Sequence, residues 1–118
     1  MSSSQNEFHR KTTSGFNATF VLGDKWSPCL LFALTQQPMR FNQLQEHLYN
    51  INPRTLSQRL MKLESMGIIL KKTLSQNPPH TEYSLTEKGR ELIPILKSMI
   101  KWGDKYSDVK NNFYWRGG

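Results

Sequence analysis

At 118 residues the chain is one domain, long enough for a single core of a few packed helices and a small sheet. Sixteen Lys and Arg against nine Asp and Glu leave a net charge of +7, which favours nucleic acid or an anionic membrane surface as partner. The single Cys29 excludes an internal disulfide, His9, His47 and His80 have no cysteine partner for a metal site, and no stretch approaches the roughly 18 apolar residues of a membrane span.

Residues 1–13 are rich in Ser, Thr and Gln and read as a flexible arm ahead of a domain over 14–107. Phe16, Phe20 and Val21 recur at helical spacing until Gly23-Asp24 stops a first short helix. Asp24 then caps a helix over 25–35, with Pro28 in its first turn, where a missing N–H is harmless. Trp26, Leu30, Phe32, Ala33 and Leu34 make this helix apolar nearly all round, so it is expected to be buried, with Cys29 as an inert core thiol.

Gln36-Gln37-Pro38 breaks the chain, and Met39-Arg40 fits a token strand before a helix over 41–48 with an apolar stripe of Phe41, Leu44 and Leu48. The polar turn Tyr49-Asn50-Ile51-Asn52 leads into a helix over 53–66, with Asn52 as N-cap, Pro53 at its first position and Gly67 as terminator. From Ile68 the period changes. Residues 68–74 and 80–85 read as strands around a loop over 75–79 that contains Pro78-Pro79, an antiparallel hairpin. Thr86 caps a long helix from Glu87 to Tyr106, with Pro94 inside it predicting a kink. The tail over 108–118 carries Phe113, Tyr114 and Trp115. Two mid-length helices joined by a four-residue turn and followed by a hairpin make a mainly α, α+β chain of winged helix-turn-helix type.

On the 53–66 helix, a rotation of 100° per residue gathers Leu56, Leu60 and Leu63 on one side and turns Arg54, Gln58, Met61 and Ser65 away from them, flanked by Ser57 and Lys62. Arg54, Thr55 and Gln58 lie in the first two turns, which meet base edges when such a helix enters the major groove. Arg suits guanine O6 and N7, and Gln suits adenine N6 and N7, while Arg59 and Lys62 are better placed for phosphates. Residues 40–72 hold six basic side chains, Arg40, Arg54, Arg59, Lys62, Lys71 and Lys72, against two acidic ones, a net +4. Asn52 and Ser57 border the same face, and Asn77 and His80 stand at the hairpin loop, where a wing reaches a phosphate or the minor groove.

The motifs Gly23-Asp24-Lys25-Trp26, Arg40-Phe41-Asn42-Gln43-Leu44 and Ile51-Asn52-Pro53-Arg54-Thr55-Leu56-Ser57-Gln58-Arg59-Leu60 are followed by Leu63-Glu64-Ser65-Met66-Gly67-Ile68-Ile69 and Glu82-Tyr83-Ser84-Leu85-Thr86-Glu87-Lys88-Gly89. In that order and at those separations, over about 16–106, they resemble the HxlR family of transcription regulators, within the broader MarR-like group. The resemblance implies a homodimer built from the first and last helices and binding to a pseudo-palindromic operator on double-stranded DNA. The dimer would use Phe16 and Phe20 with Leu92, Leu96, Met99, Ile100, Trp102 and Tyr106. Several members of the family sense oxidants through a cysteine just before the first helix. The matching position here is at or near Thr12, so Cys29 is expected to pack rather than sense.

Two other readings use the same fold: an architectural DNA-binding protein without operator preference, and a module that only dimerises, whose recognition face would be bland. No Ser, His and acid arrangement, glycine-rich phosphate loop or carboxylate cluster points to an enzyme. The chain reads as cytoplasmic, with no secretory signal, metal or cofactor, and any small-molecule effector is left open.

Overall fold

A computed structural model describes residue 21 and residues 23–107. Its elements in chain order are α1 (Trp26–Ala33), α2 (Phe41–His47), α3 (Pro53–Ser65), β1 (Ile69–Gln76), β2 (Pro79–Leu85) and α4 (Glu87–Tyr106). The first short helix expected around Phe16 and Phe20, the arm and the tail aromatics lie outside the described residues, apart from Val21, which is buried in the core.

Each boundary has a local chemical cause. Asp24 Oδ1 accepts from the backbone N–H of Trp26 and of Ser27, both at 2.8 Å, so it satisfies the open donors at the start of α1. Asn52 Oδ1 does the same for α3, accepting from Arg54 N at 2.8 Å and Thr55 N at 3.3 Å, with Pro53 at the first helical position. Helix α3 ends in a Schellman motif around Gly67, whose φ is +73°. Gly67 N–H donates to the Glu64 carbonyl and Ile68 N–H to the Leu63 carbonyl, both at 2.9 Å.

The core is one cluster. Leu30, Leu31 and Leu34 of the α1 region meet Leu44 and Leu48 from α2, Leu56, Leu60 and Leu63 from α3, Ile68, Ile69 and Leu85 from the hairpin stem, and Leu96 from α4. Helix α1 is not buried all round, however. Ser27, Leu30, Leu31 and Leu34 follow the i, i+3, i+4, i+7 spacing of one buried face, and Cys29 falls off that stripe and is exposed. The uniform apolarity of this segment hides the stripe in the sequence.

β1 and β2 pair antiparallel from Ile69 opposite Leu85 to Gln76 opposite Pro79, with an irregularity between Thr73 and Ser75. The strands extend further than expected, and only Asn77-Pro78 remains as the turn. Met39 adds a third, single-residue rung: its N–H donates to the Tyr83 carbonyl at 2.9 Å and its carbonyl accepts from Tyr83 N–H at 2.8 Å. Helix α4 is continuous across Pro94.

The stem of the hairpin is locked to α4. Thr86 Oγ1 accepts from Gly89 N–H at 3.1 Å and shares its single proton between the Gly67 carbonyl at 2.6 Å and that of Ile68 at 3.0 Å. Lys88 Nζ donates to the Met66 carbonyl at 2.6 Å. Gly89 is buried at the centre of this junction, and a Cβ there would overlap the Ile68 carbonyl and press on the Leu85 side chain. Backbone cannot move aside as a flexible side chain can, so Gly89→Ala should lose about 1–3 kcal/mol although alanine is the better helix former. Urea unfolding followed by far-UV circular dichroism should show the lower midpoint with an unchanged slope.

Candidate nucleic-acid interface

Helix α3 buries Leu56, Leu60 and Leu63 and turns the opposite side to solvent. Arg54, Ser57, Gln58 and Met61 are exposed on that side, with Thr55 half-buried beside them, and Met61 is 68% exposed. Met61 is the apolar member of this surface, placed outward by the helical period but without a role evident from the sequence.

Arg59 and Lys62, expected at phosphates, are turned the other way. Lys62 Nζ donates to Asp24 Oδ2 at 2.7 Å, and Arg59 Nε stands 3.3 Å from Asp24 Oδ1. Arg59 Nε is buried and makes no hydrogen bond, so its attraction to the carboxylate is coulombic. Ser27 Oγ also donates to Asp24 Oδ2, at 2.5 Å. Asp24 therefore does two jobs, capping α1 and holding the flank of α3. The sequence signals only the first, because the second joins residues 38 apart.

Burial alone would raise the Asp24 pKa, but the hydrogen bonds from Lys62 and Ser27 and the Lys62 charge outweigh it and bring the pKa down to about 2.

Arg40 and His80 are also engaged with each other. Arg40 Nε donates to His80 Nε2 at 3.1 Å, and Arg40 Nη2 lies 2.6 Å from His80 Nδ1. Glu82 Oε2 is 3.0 Å from His80 Nε2. A guanidinium donates only to an unprotonated ring nitrogen and a carboxylate accepts only from a protonated one, so Nε2 serves Arg40 or Glu82 at any moment. His80 lies within β2, as the expected strand over 80–85 places it, and one residue from its start rather than in the turn. Asn77 is exposed at the turn itself. Lys71 and Lys72 are exposed on β1, opposite Tyr83 and Glu82, and Lys71 Nζ sits 6.0 Å from the centre of the Tyr83 ring.

The turn before α3 holds a feature that the sequence does not announce. Tyr49 and Asn50 both have φ of +57°. Tyr49 N–H donates to the Glu46 carbonyl at 3.3 Å and Asn50 N–H to the Gln45 carbonyl at 2.9 Å, another Schellman closure, with tyrosine where glycine is usual. A left-handed backbone costs a side chain such as this roughly 1 kcal/mol, and Tyr49 is 92% exposed, so packing does not repay it.

Of the expected dimer residues, Leu96 is 2% exposed and belongs to the protomer core, and Leu92 packs against that core. Leu96 thus faces the protomer core and not the expected dimer surface, while Leu92 is only partly covered. Met99, Ile100, Trp102 and Tyr106 are exposed, joined by Ile95, and the Trp102 and Tyr106 ring centres are 5.4 Å apart.

Two helices at a tight turn, the second with a polar outward face, and a hairpin braced to both ends of the unit form a winged helix-turn-helix. The HxlR-like helix-turn-helix family model matches residues 21–111. The chain belongs to the HxlR family. It is 38% identical over 100 residues to the uncharacterised HTH-type transcriptional regulator YkvN of Bacillus subtilis, covering 84% of this chain and 85% of that protein. Among solved structures, the redox regulator HypR in its oxidised form aligns with a TM-score of 0.70 and 38% identity, over 78% of this chain and 95% of that one. The reduced transcriptional regulator YodB of B. subtilis aligns with a TM-score of 0.71 and 31% identity, over 83% of this chain and 93% of that one. This HxlR protein is a DNA-binding transcription regulator with the winged-helix fold of its relatives. Among the described residues no helix is long and apolar enough to cross a membrane.

Cys29 differs in setting from a reactive thiol. Although Cys29 is exposed as a residue, partial desolvation of the thiol raises its pKa, the Lys25 charge lowers it and Asp24 raises it, with a net upward shift, and Sγ donates toward the Lys25 carbonyl at 3.5 Å. The thiolate is therefore scarce near neutral pH. Cys29→Ser should bind DNA as the wild type does, and diamide should change both proteins alike in a gel-shift titration.

Asp24 gives a prediction of its own. Its folded pKa lies below the unfolded value of 3.8, so its contribution is complete above that value and fades as pH falls toward 2. Its side chain is 22% exposed, and with that solvent screening the contribution is about 1–2 kcal/mol. Asp24→Asn should be less stable than wild type by that amount in urea at pH 7, and the gap should narrow steadily from pH 5 downward.

Proposed function

We propose that this HxlR protein represses transcription as a homodimer on a pseudo-palindromic operator, with α3 in the major groove of each half-site. The observation that carries the reading is the division of α3 into a buried leucine face and an exposed face with Arg54, Ser57 and Gln58 at its amino-terminal half. The domain over 14–107 acts by binding and without catalysis, in the cytoplasm. Arg54 and Gln58 address base edges, with Asn52, Thr55 and Ser57 beside them, and Lys71, Lys72 and Asn77 meet phosphates from the wing. Arg40 and His80 brace the base of the wing, while Arg59 and Lys62 set the attitude of α3.

The dimer is carried by the exposed apolar face of α4, Ile95, Met99, Ile100, Trp102 and Tyr106, together with Phe16 and Phe20 of the preceding segment. An apolar face of that extent on a small domain favours a partner surface, and a two-fold arrangement closes on itself. Sedimentation at micromolar concentration should give twice the 13.8 kDa chain mass, and Trp102→Glu should return the protomer.

Arg54→Ala should cost about 1–3 kcal/mol and blur preference at one base pair per half-site. Lys71→Ala or Lys72→Ala should weaken every duplex about equally and reduce the salt slope by about one unit for each phosphate no longer neutralised. The measurement is a salt titration of binding to a duplex selected by the wild-type protein from a random pool and to a scrambled version of it. If Arg54→Ala binds both duplexes as wild type does, α3 is not the reader.

A further inference from the structure

We propose that Tyr49 is a DNA-backbone contact, its hydroxyl donating to a phosphate at the edge of the groove that α3 enters. Three observations converge on it. The residue occupies a left-handed position, φ +57°, at the closure of α2, where glycine would be unstrained. Its side chain is 92% exposed, so the ring gains nothing from the protomer in return for that strain. And it stands in the joint between α2 and the Asn52-capped start of α3.

That location decides the partner. In a helix-turn-helix the first helix crosses the DNA backbone and the amino-terminal end of the second enters the major groove. The joint between them is carried to the rim of the groove, where phosphates line the way. Tyrosine is among the side chains that bond phosphate oxygens and fix register without reading sequence. Asn50, which shares the left-handed backbone, is a residue type that tolerates it, so only the tyrosine is out of place. Being neutral, the phenol adds a hydrogen bond without displacing a counterion, which separates it from Lys71 and Lys72 in the salt dependence.

The inference rests on α3 being the reader. The test uses Tyr49→Phe, Tyr49→Gly and Arg54→Ala in the full chain, with the selected and scrambled duplexes as probes. Both Tyr49 variants should bind both duplexes more weakly, by about tenfold for each of the two half-sites, the size of one hydrogen bond to a charged group, with the salt slope of the wild type. Tyr49→Gly should at the same time raise the thermal midpoint by about 2–5 °C, because the strain is relieved. Tyr49→Phe binding as tightly as wild type would overturn the contact, as would a Tyr49→Gly protein that melts lower than wild type. If the Tyr49 variants are indistinguishable from wild type while Arg54→Ala loses selectivity, the Tyr49 contact alone is wrong. If Arg54→Ala is also without effect, the reading of α3 fails with it.

Discussion

The carboxylate of Asp24 fixes the rotation of α3 about its own axis, and the recognition surface depends on that rotation. Burial of Leu56, Leu60 and Leu63 holds α3 against the core, but apolar packing is non-directional and tolerates some roll of a helix. The ion pairs from Arg59 and Lys62 to one carboxylate remove that freedom on one flank. Because the same carboxylate caps α1 through Trp26 and Ser27, the orientation of α3 is referred directly to the start of α1. A single acidic residue thus couples the helix proposed to read DNA to the start of α1. Such a coupling accounts for two cations of α3 directed away from its outward stripe.

The second constraint is the junction at the far end of α3. Gly67 turns the chain, Ile68 and Ile69 enter the core, and Thr86 and Gly89 bring the start of α4 onto the same carbonyls. The wing therefore leaves from a fixed stem and not from a loop. At its other side, the Met39–Tyr83 rung and the Arg40–His80 contact tie it to the start of α2. Both α3 and the hairpin are therefore held to the rest of the protomer at two places. The apolar face of α4 lies beyond this junction, on the same helix whose first turn clamps the wing.

What is legible in the sequence is what local chemistry fixes. The capping and stop roles of Asp24, Asn52, Pro53, Gly67 and Thr86 are local, and the helix starts and the α3 stop that they imply agree with the structure. The polar face of α3 can be read because its period is that of one helix. The pairs Asp24–Lys62 and Arg40–His80 cannot, since nothing in a linear pattern says which of six cations between 40 and 72 meets a carboxylate or an imidazole across the fold. The inward turn of Leu96 and the outward turn of Cys29 are hidden for a related reason: in strongly apolar segments many faces look equally suited to burial. Tyr49 escapes notice because a left-handed backbone at a non-glycine residue leaves no compositional trace.

These pairings change how the net charge is to be understood. Of the six cations over 40–72, Arg59 and Lys62 are turned to Asp24, and Arg40 to His80 beside Glu82. Arg54, Lys71 and Lys72 are the three exposed on the α3 and β1 surfaces. Only cations that reach a phosphate release counterions, so a formal +7 overstates the salt dependence of binding by counting charges committed to the fold. On the proposed binding mode, the cations that α3 and β1 offer to DNA are fewer than the charge of the segment suggests, and neutral donors such as Tyr49 and Gln58 carry more of its contacts. On that binding mode, phosphate contacts by Lys71 and Lys72 carry most of the salt dependence, and the neutral Gln58 contact carries little of it.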